Sequence, residues 1–432
     1  MRSFDFQCET LIFMIKKPMD TYTLAPLILS SALLIGYLGH RFLKLQTSIA
    51  IMSAALLMSL AFNVLKYFGY SALSQDTAHL LTEMNFSGLV LNGMLSFLLF
   101  AGAMSIDTSA LKDNRWEIFT LSSLSTVLSF FMIGFGSYYL LPYLGIHLSL
   151  IYCLLFGALI SPTDPIAVIA TLKKIKAPKQ LEVCIAGESL FNDGVGIVLF
   201  VTCYSFALNN TQPTLPEISH LFFQQVLGGL SLGFVLGLLM RGLIRYSDEP
   251  RLAIFGTIAC VSGGYSLASF MNISGPLAMV VAGLMVSSFI HHPDIVPRIR
   301  AAMEFVWELI EELLNAVLFL LLGFEVLILD THQLYIPAII FTIILVLIVR
   351  WISVAAPLMF FHLKRRFPRY MISSLVWGGI RGGLAVALAL STPDNPSREI
   401  ILGLTYGVVA FGIIVQGLSI NPLVRLMEKN LK

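Results

Sequence analysis

Charge is what this chain has least of. Asp, Glu, Lys and Arg make up 12% of its 432 residues, about half the share of an ordinary soluble domain, which is roughly 25%. Long polar linkers are missing too, so there is no room for a soluble domain. No stretch alternates apolar and polar residues, which excludes the strands of a lipid-exposed barrel. The five cysteines (Cys8, Cys153, Cys184, Cys203, Cys260) form no C-x-x-C pair and no metal-ligand spacing. They read as small apolar packing residues. The net charge is only +2, and the basic residues are spread over loops, so no nucleic-acid patch is evident. The eight histidines lie mostly at loop ends, which argues against a histidine proton relay. A repeated filter sequence, as a cation channel would carry, is absent.

What remains is apolar. Hydrophobic residues make up 57% and the mean hydropathy is +0.85. Runs of about 20 apolar residues, the length of a spanning helix, recur along the chain. Helices satisfy every backbone group inside one segment, so they are the expected form in lipid. Thirteen candidate spans follow, at 24–43, 47–66, 85–106, 116–141, 147–172, 181–208, 219–244, 252–271, 275–290, 304–328, 334–361, 371–391 and 398–425. Residues 1–23 hold only LIFMI as an apolar core, too short for a signal peptide. They are expected to form an extracytoplasmic segment, with 24–428 the transmembrane domain and 429–432 a short cytoplasmic tail. Most of the 27 Lys and Arg then fall on one side. Only Arg2, Lys16, Lys17, Lys66 and Arg398 fall on the other, while Arg350 and Arg381 lie inside spans. The positive-inside rule makes the rich side cytoplasmic, which puts the N-terminus outside and the C-terminus inside.

Ionisable groups deep in a span are costly and point to function. Here they are Asp164, Glu188, Asp193, Arg350 and Arg381, three acids and two bases. Span 6 reads GESLFNDGVGIVLF. Positions four apart stack on a helix, so Ser189 and Asp193 share one stripe and Glu188 and Asn192 the adjacent one. A carboxylate beside a hydroxyl oxygen suits a hard monovalent cation. Glu188 is the expected partner for Arg350, with Arg381 the alternative.

Two spans carry their own breaks. In span 5, SPTDPIAV sets Thr163 and Asp164 between Pro162 and Pro165, and each proline removes a backbone donor and disturbs the preceding turn. Asp164 can there face the positive N-terminus of the second half-helix. In span 12, Gly378, Gly379, Gly382 and Gly383 surround Arg381. DPIAVIATL after the first break resembles RGGLAVALALS after the second, seven spans later, so the second unit lies inverted. Inverted repeats with discontinuous helices meeting at the midplane mark secondary transporters. Two helix N-ends would then meet at Asp164 and two C-ends at Arg381.

SPTDPIAV, GESLFNDG, the span 11 arginine, GGIRGG, the closing VQGLSINPLVRLM and LSFLLFAGAMSID in span 3 together resemble the monovalent cation/proton antiporters of the bacterial sodium/proton exchanger type. The likeness covers residues 24–428. It implies an all-α polytopic protein with crossed, broken spans 5 and 12. Spans 4–6 and 11–13 would form a core, and spans 1–3 and 8–10 a dimerisation unit. The implied activity is Na⁺ or Li⁺ exchange for H⁺ in the inner membrane, by an elevator motion, for pH and sodium homeostasis. The implied partners are the bilayer and a second copy of the chain, with no cofactor. On the matching positions, Asp193, Asp164, Ser189 and Thr163 would bind Na⁺ or H⁺, supported by Asn192, Glu188, Arg350 and Arg381. The Asn192–Asp193 pair implies electroneutral, one-for-one exchange. The few residues after span 13 imply no regulatory tail. The alternatives are a K⁺/H⁺ antiporter of the same family and, from a different class, an intramembrane aspartyl protease using Asp164 and Asp193. The Tyr-Asp and Gly-x-Gly-Asp sequences of such proteases are missing.

Overall fold

The computed structural model describes residues 21–39, 86–166, 179–209, 214–247, 249–293, 295–325, 336–362 and 369–417, with Arg41, Ala50, Ile51, Ala54, Ala55, Val168, Ile169, Leu172 and Ser419 as single positions. Most of span 2, the latter part of span 5, the basic loops at 173–178 and 363–368, and nearly all of VQGLSINPLVRLM beyond Gly417 lie outside them. So do the segments 1–20 and 429–432. Among the described residues, everything regular is helical, and the only extended pairing is one isolated bridge between Asp164 and Ile380.

The chain divides into two compact units, 1–86 with 316–328, and 87–315 with 329–432. The first contains α1, Thr21–Leu38. Within it Gly39 abuts Ala50, and Gly323 abuts Ala55.

The second unit carries the remaining helices in the following order. α2 is Leu95–Ser105, preceded by a π-helical turn over Leu89–Met94. α3 is Thr108–Asp113 and α4 is Arg115–Phe119, which continues through a π turn into α5, Ser125–Leu140. α6 is Leu150–Ile160, α7 Lys179–Asn209, α8 Leu215–Arg245, α9 Pro250–Phe270 and α10 Gly275–Ile290. α11, Pro297–Glu325, belongs to this unit up to Asn315. α12 is Ile336–His362, α13 Arg369–Trp377, α14 Gly383–Leu390 and α15 Pro396–Phe411, which runs into a π turn over Gly412–Gly417.

Among the described residues, six stretches are long and apolar enough to cross a membrane: Arg115–Leu144, Lys179–Leu208, Pro216–Arg245, Pro250–Phe270, Ile336–Met359 and Pro396–Gly417. These fall on the expected spans 4, 6, 7, 8, 11 and 13. Leu89–Ser105, Leu150–Ile160 and Gly275–Ile290 are shorter apolar helices on spans 3, 5 and 9. Span 12 is two helices rather than one, because Gly378–Gly382 interrupt it. The helix of span 10 starts earlier than the expected span, at Pro297, and carries Glu304, Glu308, Glu311 and Glu312 in its N-terminal part.

The helix starts have local causes. Asp107 caps α3, accepting from Ser109 N (3.0 Å) and Ala110 N (3.3 Å). It also accepts from Lys179 Nζ at 2.5 Å, at the foot of α7. That ammonium, with the Ser109 hydroxyl, holds the Asp107 carboxyl well below the usual carboxylate range. Thr214 and Glu217 form a capping box at α8, Ser274 caps α10 and Asn395 caps α15, each satisfying donors the first turn leaves open. Trp307 of α11 is fully buried. Its ring lies 4.5 Å from that of Phe100, and its indole donates to Thr257 Oγ1 at 3.2 Å.

Small residues let α8 and α10 approach closely. A Cβ added at Gly233 would sit 2.5 Å from Ala278 O and 2.9 Å from Ala278 Cα. Backbone cannot retreat as a flexible side chain can. Gly233→Ala is therefore expected to destabilise by about 1–3 kcal/mol, as overpacking does, read as a lower thermal midpoint in detergent. An unchanged midpoint would show that this seam can open.

Candidate ion site at two helix breaks

Both breaks are short, non-helical crossings. α6 stops at Ile160, Ser161–Pro165 run without helix, and helical geometry resumes at Ile166. α13 stops at Trp377, and α14 starts at Gly383. The two crossings touch antiparallel, with Asp164 N–H donating to Ile380 O at 2.7 Å. Each break leaves a helix C-end and a helix N-end unpaired, with about half a charge at each.

Charged side chains meet these ends with the complementary sign. Asp164 Oδ1 accepts from Ile166 N at 3.1 Å, on the N-end of the resumed helix. Its Oδ2 lies against Gly382, the N-cap of α14, so close that no Cβ could be added there. Glycine at 382 is thus required by close approach. At the C-end of α6, Arg381 Nη1 donates to Ser161 O (2.6 Å) and Pro162 O (2.8 Å). At the C-end of α13, Arg350 Nη2 donates to Leu375 O at 2.9 Å. The expectation that Arg381 serves both C-ends therefore needs correction. Arg350 takes the second one, because Gly379 leaves room for its guanidinium beside the crossing.

Arg350 also forms a buried ion pair with Glu188 through Nη1 and Oε1. The partner for Glu188 is thus Arg350 and not Arg381. Among the described residues, Arg381 bonds only to carbonyls.

α7 brings its polar residues to the first crossing. Ser189 Oγ donates to Thr163 O at 2.5 Å. Asn192 Nδ2 donates to Thr163 Oγ1 at 2.9 Å, and Thr163 N–H points back to Asn192 Oδ1 at 3.4 Å. The two helical stripes of α7 therefore converge on one residue. Thr163, Glu188, Ser189, Asn192, Arg350 and Arg381 are buried. Asp164 and Asp193 are only half-buried. Among the described residues, no hydrogen bond or ion pair engages the Asp193 carboxylate.

Sequence reasoning missed Gln416. It is buried in the π turn after α15, and its Nε2 donates to Trp377 O at 3.3 Å, a further C-end carbonyl of α13. The available signal was an amide inside the apolar run FGIIVQG.

The Glu188–Arg350 pair makes a direct test possible. Removing one partner strands the other charge, so Glu188→Ala and Arg350→Ala should each cost about 3–5 kcal/mol of stability. The double variant should lose much less than the sum, and thermal unfolding in detergent measures all three. Additive losses would mean that the two groups do not interact in solution.

Comparison with known proteins agrees with this architecture. The family described as "Sodium/hydrogen exchanger, transmembrane" matches residues 28–426. The Na⁺/H⁺ antiporter NhaP of Pseudomonas aeruginosa is 42% identical over 400 residues, covering 91% of this chain and 93% of that protein. Human sodium/hydrogen exchanger 8 is 28% identical, over 94% of this chain and 70% of its own length. Among solved structures, the sodium proton antiporter MjNhaP1 of Methanocaldococcus jannaschii shares the fold with a TM-score of 0.72 at 17% identity, over 92% of this chain and 96% of that one. With breaks, charges and chain length all accounted for, the protein belongs to the sodium/hydrogen exchanger family.

Proposed function

We propose that the chain is an electroneutral Na⁺/H⁺ antiporter in which Asp193 binds either one Na⁺ (or Li⁺) or one H⁺. One observation carries this reading. Asp193 is the half-buried carboxylate without a hydrogen-bonding or ionic partner among the described residues, beside a set of oxygen atoms at the first break. Ser189 spends its proton on Thr163 O, which leaves the lone pairs of Ser189 Oγ free to face a cation. Thr163 Oγ1 is oriented by Asn192. Ser189, Thr163 and the nearby Asp164 would complete an oxygen site of the kind hard cations prefer. Membership of an exchanger family makes the protein a secondary transporter, and the protease reading of Asp164 and Asp193 falls away.

The finer architecture belongs to the same proposal. Thirteen spans form two inverted repeats, with the breaks of spans 5 and 12 crossing at the midplane. Spans 4–6 and 11–13 make a core that slides against spans 1–3 and 8–10, which also pair with a second copy. The N-terminus lies outside and the C-terminus in the cytoplasm. The antiparallel contact of Asp164 with Ile380 supports the crossing.

The stoichiometry follows from which acids are committed. Glu188 is held by Arg350, and Asp164 by two helix N-ends. Only Asp193 is left to trade a proton for a cation, and one site trading one charge for one charge moves no net charge. In proteoliposomes, net flux should vanish where the sodium and proton gradients are equal, at any imposed voltage. A null point that moves with voltage would show a second carried proton. Asp193→Asn should abolish exchange in a folded, inserted protein, since an amide neither releases a proton nor offers a full charge. More than a few per cent of residual exchange would reject the assignment.

A further inference from the structure

Gln416 has no part in the ion site so far described, yet the structure ties it to that site twice. Its Nε2 holds Trp377 O, while the Trp377 indole donates to Ser419 Oγ at 2.9 Å. A Cβ added at Gly412 would lie 3.3 Å from Gln416 Oε1 and 3.5 Å from Arg381 N, so that amide oxygen sits beside the second break.

Gln416, Arg350, Arg381 and Gly379 also wall one small void between α12, α15 and the break, of about 10 Å³. That is close to the room one water needs. The Nε–H groups of Arg350 and Arg381 are buried without an acceptor among the described residues. Unmet buried donors are costly, so an acceptor in the void would serve both. An anion would add negative charge to a core whose three carboxylates already outnumber its two guanidiniums, so a neutral acceptor fits better. A water can accept from both Nε–H groups and donate to Gln416 Oε1.

We propose that Gln416 is a positioning residue of the ion site. Together with one water in this void, it locks Arg350 and Arg381 and so fixes Gly378–Gly382 against Asp164. The linkage runs through named contacts. Ile380 O holds Asp164 N–H, and Arg381 holds the carbonyls of Ser161 and Pro162 just before Thr163. Releasing Gln416 therefore loosens the oxygen set around Asp193 by way of Arg381. This rests on the reading of Asp193 as the ion-binding carboxylate.

The test measures Na⁺ dependence of exchange in proteoliposomes made with the full chain. Gln416→Met keeps the side-chain volume and removes both hydrogen-bonding ends. It should raise the Na⁺ concentration for half-maximal exchange roughly ten-fold and change the maximal rate less than about two-fold, a loss of binding rather than turnover. Gln416→Glu keeps the side-chain oxygen that accepts from the water, beside two guanidiniums that tolerate its charge, and gives up only the donor to Trp377 O; it should stay within about three-fold of wild type. Tyr265→Phe removes a bond to Leu91 O (2.5 Å) that involves none of the residues of the ion site; it should lower the thermal midpoint and leave half-saturation alone. If Gln416→Met lowers only the thermal midpoint, as Tyr265→Phe does, Gln416 is merely structural and the proposal is overturned. A ten-fold loss of Na⁺ affinity in Gln416→Glu also overturns it, and keeps the test decisive should the methionine variant fail to insert. A wild-type thermal midpoint that rises saturably with chloride at constant ionic strength would put an anion where we place water. If wild-type protein shows no Na⁺-driven exchange, the ion-site reading itself fails.

Discussion

A helix broken inside a membrane exposes backbone ends where water cannot pair them, and each unmet group costs several kcal/mol. Everything distinctive about this core follows from meeting that cost at two adjacent breaks. The C-ends of α6 and α13 face Arg381 and Arg350, and the N-ends of α14 and of the helix resuming at Ile166 face Asp164. Charges of this kind are normally excluded from lipid. Here each has a helix end of opposite sign, so the breaks and the charges make one another tolerable. Neither would be expected to persist alone.

Those charges, once placed, divide the acids by role. Glu188 is paired with Arg350, and that guanidinium also satisfies Leu375 O. A buried pair of this sort contributes little net stability compared with apolar packing but is damaging to break. Its value lies in fixing α7 against α12 and α13. The Ser189 and Asn192 side chains are thereby held at Thr163, and Asp193 is left with some exposure and no partner among the described residues. The oxygens around Thr163 are thus framed by groups already spoken for.

Much of this was legible from residue order because it rests on local chemistry. Prolines at 162 and 165 and glycines at 378, 379, 382 and 383 mark breaks whatever surrounds them. Ionisable residues in apolar runs stand out for the same reason, and the 188–192 and 189–193 stripes follow from helical geometry. What stayed hidden depends on how distant segments cross. Nothing local to Arg350 says that it reaches the α13 carbonyl, or that Arg381 therefore serves one C-end instead of two. The contacts of Thr163 with both Ser189 and Asn192 require the extended crossing to lie astride two stripes. Gln416 was hidden for the same reason, since its partners, Trp377 O and the Arg381 segment, are brought near only by the π turn at Gly412–Gly417.

The amide at position 192 shows how narrow the choices are once the crossing is set. Asn192 donates to Thr163 Oγ1 and faces Thr163 N–H with its oxygen. An ionised carboxylate offers acceptors only, so an aspartate there could keep the second contact but not the first. It would also place a third acidic group beside Asp193 and Asp164, with both guanidiniums already engaged on C-ends. The amide avoids that repulsion and still orients the threonine hydroxyl. With Asn at 192, Glu188 paired and Asp164 held at two helix N-ends, Asp193 is the carboxylate at the crossing that no hydrogen bond or ion pair engages among the described residues. On the reading proposed above, a cation or a proton from outside answers it, which is the physical content of exchange at one site.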